Sequence, residues 1–210
     1  MTTYPGLRGP VITDYLSRAE SRARYAPGTE FEIAQISMIG NTGTYIDSPA
    51  HRYPDAADLA AMPLARTVNL DGILFRLTGS DHRDIQAPAL QSAEVRGRAV
   101  LLHTGWDAYW GKSMYGSGEH PYLGVDAARW LVDHGAALVG IDSLNVDDAS
   151  TGERPVHSLL LAAGIPIVEH MRGLEQLPAE GFRFFAAPLA IAGMVSVPVR
   201  AFAIMSRGVG

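Results

Sequence analysis

The 210-residue chain carries a formal net charge of −5, 47% apolar residues and no cysteine. That composition excludes disulfides, thiolate metal sites and a cysteine nucleophile, and with no Lys/Arg run it argues against nucleic acid as the main partner. A chain of this size buries roughly 70% of its unfolded surface, so residues 1–210 are expected to form a single domain. The first residues, MTTYPGLRGPVITDYLSRAE, lack a basic segment followed by an apolar core. No apolar run approaches the roughly 20 residues of a membrane span. A soluble, cytoplasmic protein with no membrane partner is the expectation.

The first strand-like run in chain order is FEIAQISMI (31–39), and NTGTYIDSPAH (41–51) follows it directly. Pro49 cannot sit inside a helix but can open one. Ser48 is then the expected N-cap, with Asp47 just outside and His51 in the first turn. This gathers a carboxylate, an imidazole and free backbone N–H groups at one helix start. The same residues also read as a plain helix cap beside a surface histidine.

Further strand-like runs are GILFRLTG (72–79) and RAVLLHTGW (98–106), the latter placing His103 at a strand end, either lining a cleft or satisfied within the core. Trp106, Tyr109 and Trp110 come next, as walls for a planar ring or as core or interface residues. MYGSGEHP (114–121) is Gly-rich enough for a lid, yet it lacks the lysine and context of a phosphate loop. VDAARWLVDHG (125–135) predicts a helix with Val125, Ala128, Leu131 and Val132 on one face, stopped by Gly135.

AALVGID (136–142) predicts a strand, after which Asp142 and Asp147 line a cleft or cap the next element. RPVHSLLLAAG (154–164) predicts a helix with Pro155 in its first turn, and IPIVEH (165–170) a returning strand. From His157 the helix climbs about 10 Å at 1.5 Å per residue, and the strand to Glu169 covers about 13 Å in the opposite sense. His157 and Glu169 are therefore expected at one level, able to share a metal ion or a proton. FRFFAAPLAI (182–191) and VRAFAIM (199–205) complete the strand pattern of a mixed α/β or α+β domain. No Gly-x-Ser-x-Gly elbow is present, so a serine hydrolase of that type is unsupported.

Taken together, NTGTYIDSPAH, HTGW, EHPYLGVDAARWLVDHGAALVGID, PVHSLLLAAGIPIVEH and PLAIAGMVSVPVRAFAI resemble the cyclase family of metal-dependent hydrolases, which takes in kynurenine formamidase and isatin hydrolase. The resemblance runs from about residue 35 onward, and residues 1–30 match less well. It implies a compact α/β domain with a β-barrel-like mixed sheet core flanked by helices, usually a homodimer or homotetramer. It also implies metal ligands at Asp47, His157 and Glu169, and a catalytic histidine at His51. The family motif is His-x-Gly-Thr-His-x-Asp-x-Pro-x-His, and this chain carries Asn41 and Tyr45 at its first two histidine positions. Loss of two imidazoles points away from a binuclear zinc centre and toward one divalent ion, Zn, Mn or Mg, or none.

The expected activity is hydrolysis of a small amide, lactam or ester, arylformamidase-like. His51 serves as acid and base, and Tyr45 and Asn41 as hydrogen-bond donors to the oxyanion. His103, Trp106 and Trp110 are the expected pocket for a small, aromatic substrate. Two alternatives stand beside this: a metal-independent acid–base enzyme using Tyr45 and His51, and a non-catalytic ligand-binding protein.

Overall fold

The computed structural model describes residues 3–80 and 82–205. In chain order its elements are β1 (Val11–Leu16), α1 (Arg18–Arg24), β2 (Ile33–Ser37), β3 (Tyr45–Asp47), β4 (Leu70–Arg76), β5 (Asp84–Ile85), β6 (Ala99–His103) and β7 (Tyr122–Leu123). They continue with α2 (Val125–Asp133), β8 (Leu138–Ile141), α3 (Pro155–Ala162), β9 (Ile167–Glu169), β10 (Phe182–Phe185), β11 (Ser196–Pro198) and β12 (Phe202–Met205). Eight strands form one curled, open sheet in the order β11-β3-β9-β8-β6-β4-β10-β12. β1–β2 and β5–β7 are separate two-stranded pairs.

The middle of the sheet, β4, β6, β8 and β9, is parallel, and the strands added at either side are antiparallel. Parallel strands covered on both faces read as continuous apolar runs. Ala99–Leu102 of β6, each with no accessible surface, are such a run. Alternation then divides the core into two layers. Phe75, Val100, Leu102, Val139 and Ile167 meet Ala128 and Leu131 of α2 and Leu160 and Leu161 of α3. Leu74, Leu101, Leu138 and Val168 meet Phe182 and Phe184 on the other side.

Each of the seven apolar runs contains a strand, and both predicted helices form. The short strands β3, β5, β7 and β11, together with β1 and α1, carry too few patterned residues to announce themselves. α1 does carry a capping box, Ser17 with Glu20. Pro198 lies in β11, an edge strand, where the missing N–H costs no ladder bond.

Two expectations are corrected. Pro49 opens only a three-residue 3-10 turn, 49–51, in which Ser48 makes no cap; its hydroxyl donates to the Val195 carbonyl at 3.0 Å. A second proline at Pro54 leaves no room for a longer helix. The 114–121 segment is anchored rather than lid-like. Tyr115 is fully buried, with its hydroxyl donating to the carbonyls of Asp142 and Ser143, and the buried His120 ring bonds the Asp147 carbonyl at 3.0 Å.

A Cβ on Gly72 of β4 would lie 1.9 Å from the ring of the buried Phe182. Gly72→Ala is therefore expected to lower stability by about 1–3 kcal/mol, the usual cost of overpacking. Urea denaturation reads this as a lower midpoint at constant slope.

Candidate active site

Although only three residues long, β3 fixes the site through its register. Tyr45 lies opposite Glu169 of β9, and Asp47 opposite Ser196 of β11. Residues directly opposite share a face of the sheet, as do residues two apart on one strand. Tyr45, Asp47, Glu169 and Ser196 therefore face one side, the side covered by α3. His157, in the first turn of that helix, closes the group from above.

Asp147, in the loop after β8, sets the helix and the ring together. Its carboxylate accepts the backbone N–H of Val156 at 2.7 Å, that of His157 at 3.1 Å, and the His157 Nδ1–H at 2.6 Å. The residue at the helix N-cap position, Arg154, offers no side-chain cap, so Asp147 supplies it from outside. With Nδ1 committed, Nε2 of His157 faces inward, 3.5 Å from Asp47 Oδ2 and 3.7 Å from Glu169 Oε1. The rise arithmetic placing His157 and Glu169 at one level is met.

Every polar group here but His51 is nearly or fully out of water. Asp47 and Glu169 are 0% exposed, and His157 and Ser196 4%. Burial raises Glu169 to about 7; the His157 charge draws it down, while the Asp47 charge pushes it up. Its Oε1 accepts the Val146 N–H at 2.7 Å and its Oε2 the Tyr45 hydroxyl. Burial, with the charges of Glu169 and Asp47, pushes the Tyr45 phenol well above its ordinary value, and the neighbouring Asn41 amide pulls only weakly the other way. Tyr45 is a neutral donor whose single proton is spent on Glu169. Burial opposes charge on His157, but its bonds to Asp147 and Asp47 outweigh it and lift the ring to about 10.

Asp47 carries the remaining asymmetry. Its Oδ1 accepts the Ser196 hydroxyl, whereas its buried Oδ2 accepts no close hydrogen bond and faces His157 Nε2 at 3.5 Å, an ion pair when that ring is charged. The Ser196 oxygen lies 3.0 Å from His51 Nδ1. With the Ser196 proton on Asp47, that oxygen can take the His51 Nδ1–H, which leaves Nε2 as the ring nitrogen outside this chain of hydrogen bonds.

These atoms suit a divalent cation. Asp47, His51 and His157 each present a ligand atom, all within 4.8 Å of one another. A buried carboxylate oxygen met by nothing closer than a ring nitrogen at 3.5 Å is incompletely compensated, and an imidazole whose far nitrogen is held by a carboxylate is the usual arrangement behind a metal-binding histidine. The set holds nitrogen and oxygen donors for one ion. Tyr45, at a motif histidine position, turns its hydroxyl to Glu169 instead.

His103 belongs to a different group, one of its ring nitrogens lying within 4.8 Å of a carboxylate oxygen of Asp107 and of Asp142. Asp142 is occupied in joining strand ends, accepting the N–H and hydroxyl of Thr104 and the N–H of Gly105. The Trp106 indole N–H goes to the Tyr115 carbonyl at 3.1 Å. Trp110 packs against Tyr115 and His170. Ser196 carries no sequence signal at all. Asp147 carries a faint one, an acid upstream of a helix that lacks its own cap.

Two outcomes follow from this geometry. Tyr45→Phe leaves a buried carboxylate oxygen of Glu169 unpaired and is expected to cost about 1–3 kcal/mol in urea denaturation. Because His157 holds its proton to about 10 in the metal-free protein, cation binding must expel that proton. Affinity should therefore rise with pH across the neutral range, measurable by chelator competition, with about one proton released by calorimetry in buffers of differing ionisation enthalpy.

Residues 4–148 match the model of the cyclase family, described as "Putative cyclase". The chain is 27% identical over 188 residues to the kynurenine formamidase of Geobacillus thermodenitrificans, covering 86% of this chain and 84% of that protein. Among solved structures it resembles isatin hydrolase A from Labrenzia aggregata bound to benzyl benzoate, with TM-score 0.78 and 21% identity over 97% of this chain and 87% of the other. It also resembles a structure described as a predicted metal-dependent hydrolase from Bacillus stearothermophilus, with TM-score 0.71 and 28% identity over 96% and 93% of the two chains. Family match, fold and the Asp–His group agree: the chain belongs to the cyclase family.

Proposed function

We propose that this protein hydrolyses the C–N bond of a small amide or lactam, or the corresponding ester, in the manner of an arylformamidase. The observation that carries the reading is the buried Asp47–His157 pair, in which Oδ2 of Asp47 and Nε2 of His157 face each other at 3.5 Å without a close hydrogen bond. Asp47, His157 and Glu169 would hold one divalent ion, whose chemistry is to polarise a carbonyl and acidify water. Similarity to kynurenine formamidase supports a small-molecule amide as substrate.

The chain's own residues supply the rest. His51, the most exposed polar group of the site, removes a proton from the attacking water at Nε2 and returns it to the leaving nitrogen. Ser196 and Asp47 orient that ring through Nδ1. Asp147 keeps His157 in the tautomer that presents Nε2. Tyr45 positions Glu169, and the Asn41 amide, which donates to the Tyr45 oxygen, would turn from it to reach the developing oxyanion.

One observation favours a second reading. Both Glu169 oxygens already carry hydrogen bonds, from Tyr45 and Val146, as in an acid–base site that works without metal.

Elemental analysis of the purified protein, paired with hydrolysis of aryl formamides, decides between the two. The proposal expects about one metal per chain, lost in Asp47→Asn together with activity. In His51→Gln the metal stays while kcat falls by about 10²- to 10⁴-fold. Loss of metal in His51→Gln would make His51 a ligand. Hydrolysis without metal, even after incubation with zinc or manganese, would favour the Tyr45–His51 reading. Binding without turnover would favour a ligand-binding role. Asn41→His with Tyr45→His should change metal identity or stoichiometry.

A further inference from the structure

The carboxyl ends of the parallel strands β6 and β8 carry a second cluster of metal-ligating side chains, and in open α/β sheets such ends are where ligands settle. Register pairs Leu102 of β6 with Ile141 of β8, so His103 and Asp142 come next, side by side. Alternation sets both on one face: His103 follows Ala99 and Leu101, and Asp142 follows Leu138, all in the layer packed on Phe182 and Phe184. Tyr45 and Asp47 flank Ile46, a member of that same layer, and therefore point to the opposite face. His103 on β6 and Asp47 on β3 are also three strand spacings apart, about 14 Å along the sheet. This cluster is not part of the candidate active site.

Its third member arrives by a turn. Gly105, with φ of +79°, reverses the chain into the 3-10 turn Trp106–Tyr109, which brings Asp107 over the strand ends. There Asp107 Oδ2 accepts the Gly173 N–H at 3.3 Å, a long bond. One ring nitrogen of His103 and one carboxylate oxygen from each of Asp107 and Asp142 lie within 4.8 Å of one another.

The group lacks a positive counterpart. His103 is 7% exposed, and its Nδ1 is cut off from water without a hydrogen-bond partner. Among the described residues, no Lys or Arg forms an ion pair with Asp107 or Asp142. Arg76, opposite His103 on β4, gives its guanidinium to the carbonyls of Glu175 and Leu177 instead. Burial pushes the Asp142 carboxyl up from its ordinary value; the Thr104 and Gly105 bonds pull it down, and the Asp107 charge adds to the rise.

We infer that His103, Asp107 and Asp142 form a second divalent-cation site, which takes a borderline ion such as Mn²⁺ through one nitrogen and two oxygens. An ion about 2.1 Å from each donor holds its ligands no more than about 4.2 Å apart, so the cluster needs only a small closing movement. Asp107, half-buried, marks the entry side, where water fills the remaining positions. Asp142 already accepts the Thr104 N–H and hydroxyl and the Gly105 N–H, so it shares its lone pairs and the ion is held loosely. The site fills with added ion and empties on dialysis, and it does not enter the metal count of the purified protein. Once filled, it ties the 106–109 turn to two strand ends.

The test uses the intact Asp47→Asn protein, in which the first site is disabled. Manganese titration followed by electron paramagnetic resonance should show one Mn²⁺ taken up per chain. NMR amide signals should broaden most strongly at residues 103–107, and added Mn²⁺ should raise the urea midpoint. Asp107→Asn keeps an oxygen for the Gly173 N–H and should weaken uptake about tenfold or more. His103→Gln should do the same. Circular dichroism and the urea midpoint without ion verify that the variants remain folded. No uptake at millimolar Mn²⁺, uptake unchanged in either variant, or broadening centred elsewhere would overturn the inference. None of these readouts depends on turnover or on a metal at Asp47, so they stand apart from the hydrolase reading.

Discussion

The carboxylate of Asp147 takes three hydrogen bonds from one helical turn, two from backbone N–H groups and one from a ring. The backbone pair secures the first turn of α3, which has no cap of its own. The ring bond turns His157 so that its other nitrogen points at Asp47 and Glu169. A helix cap and the orientation of a site imidazole are thus one interaction, and neither can be adjusted alone. Because α3 also packs Leu160 and Leu161 into the core, the position of the imidazole is inherited from packing that has nothing to do with chemistry.

Beneath that helix the sheet presents charges that water cannot reach. Placing two carboxylates and an imidazole in such surroundings is tolerable only if each charge has a counterpart. Tyr45 shows how the counterpart is shared out. At a position where the family motif carries histidine, the phenol offers a proton rather than a lone pair. It satisfies Glu169 as a neutral donor and removes one nitrogen ligand from the site. One oxygen of Asp47 is met at 3.5 Å by His157, and the proposed cation would sit at that pair. The departure from the motif therefore reads as a rebalancing of the pocket, with its hydrogen bonds largely intact.

Much of this was readable from residue order. Apolar runs of six to ten residues located the long strands, and counting rise along α3 and β9 placed His157 and Glu169 together. Such reasoning works where the chain returns on itself within a few turns. It fails for Ser196, which meets Asp47 from 149 residues away across a strand of three residues, because register between short distant strands leaves no periodic trace. Pro49 misled for a different reason. Proline permits a helix start without requiring it, and Pro54 cut the helix short. The anchoring of 114–121 was hidden because glycine content reports the freedom of the unfolded chain, whereas Tyr115 and His120 decide the folded one.

The insertion of β3 between β9 and the edge strand β11 also dictates when the site can exist. Tyr45 waits for Glu169, 124 residues later, and Asp47 for Ser196 near the end of the described chain. Closing loops of that length is entropically slow, and the local β6, β8 and α3 units gain their contacts first. The residues that do the proposed chemistry are consequently among the last to meet during folding. A chain emerging from synthesis carries its motif for most of that time with no partner in place, and the appearance of the assembled site marks completion of the fold.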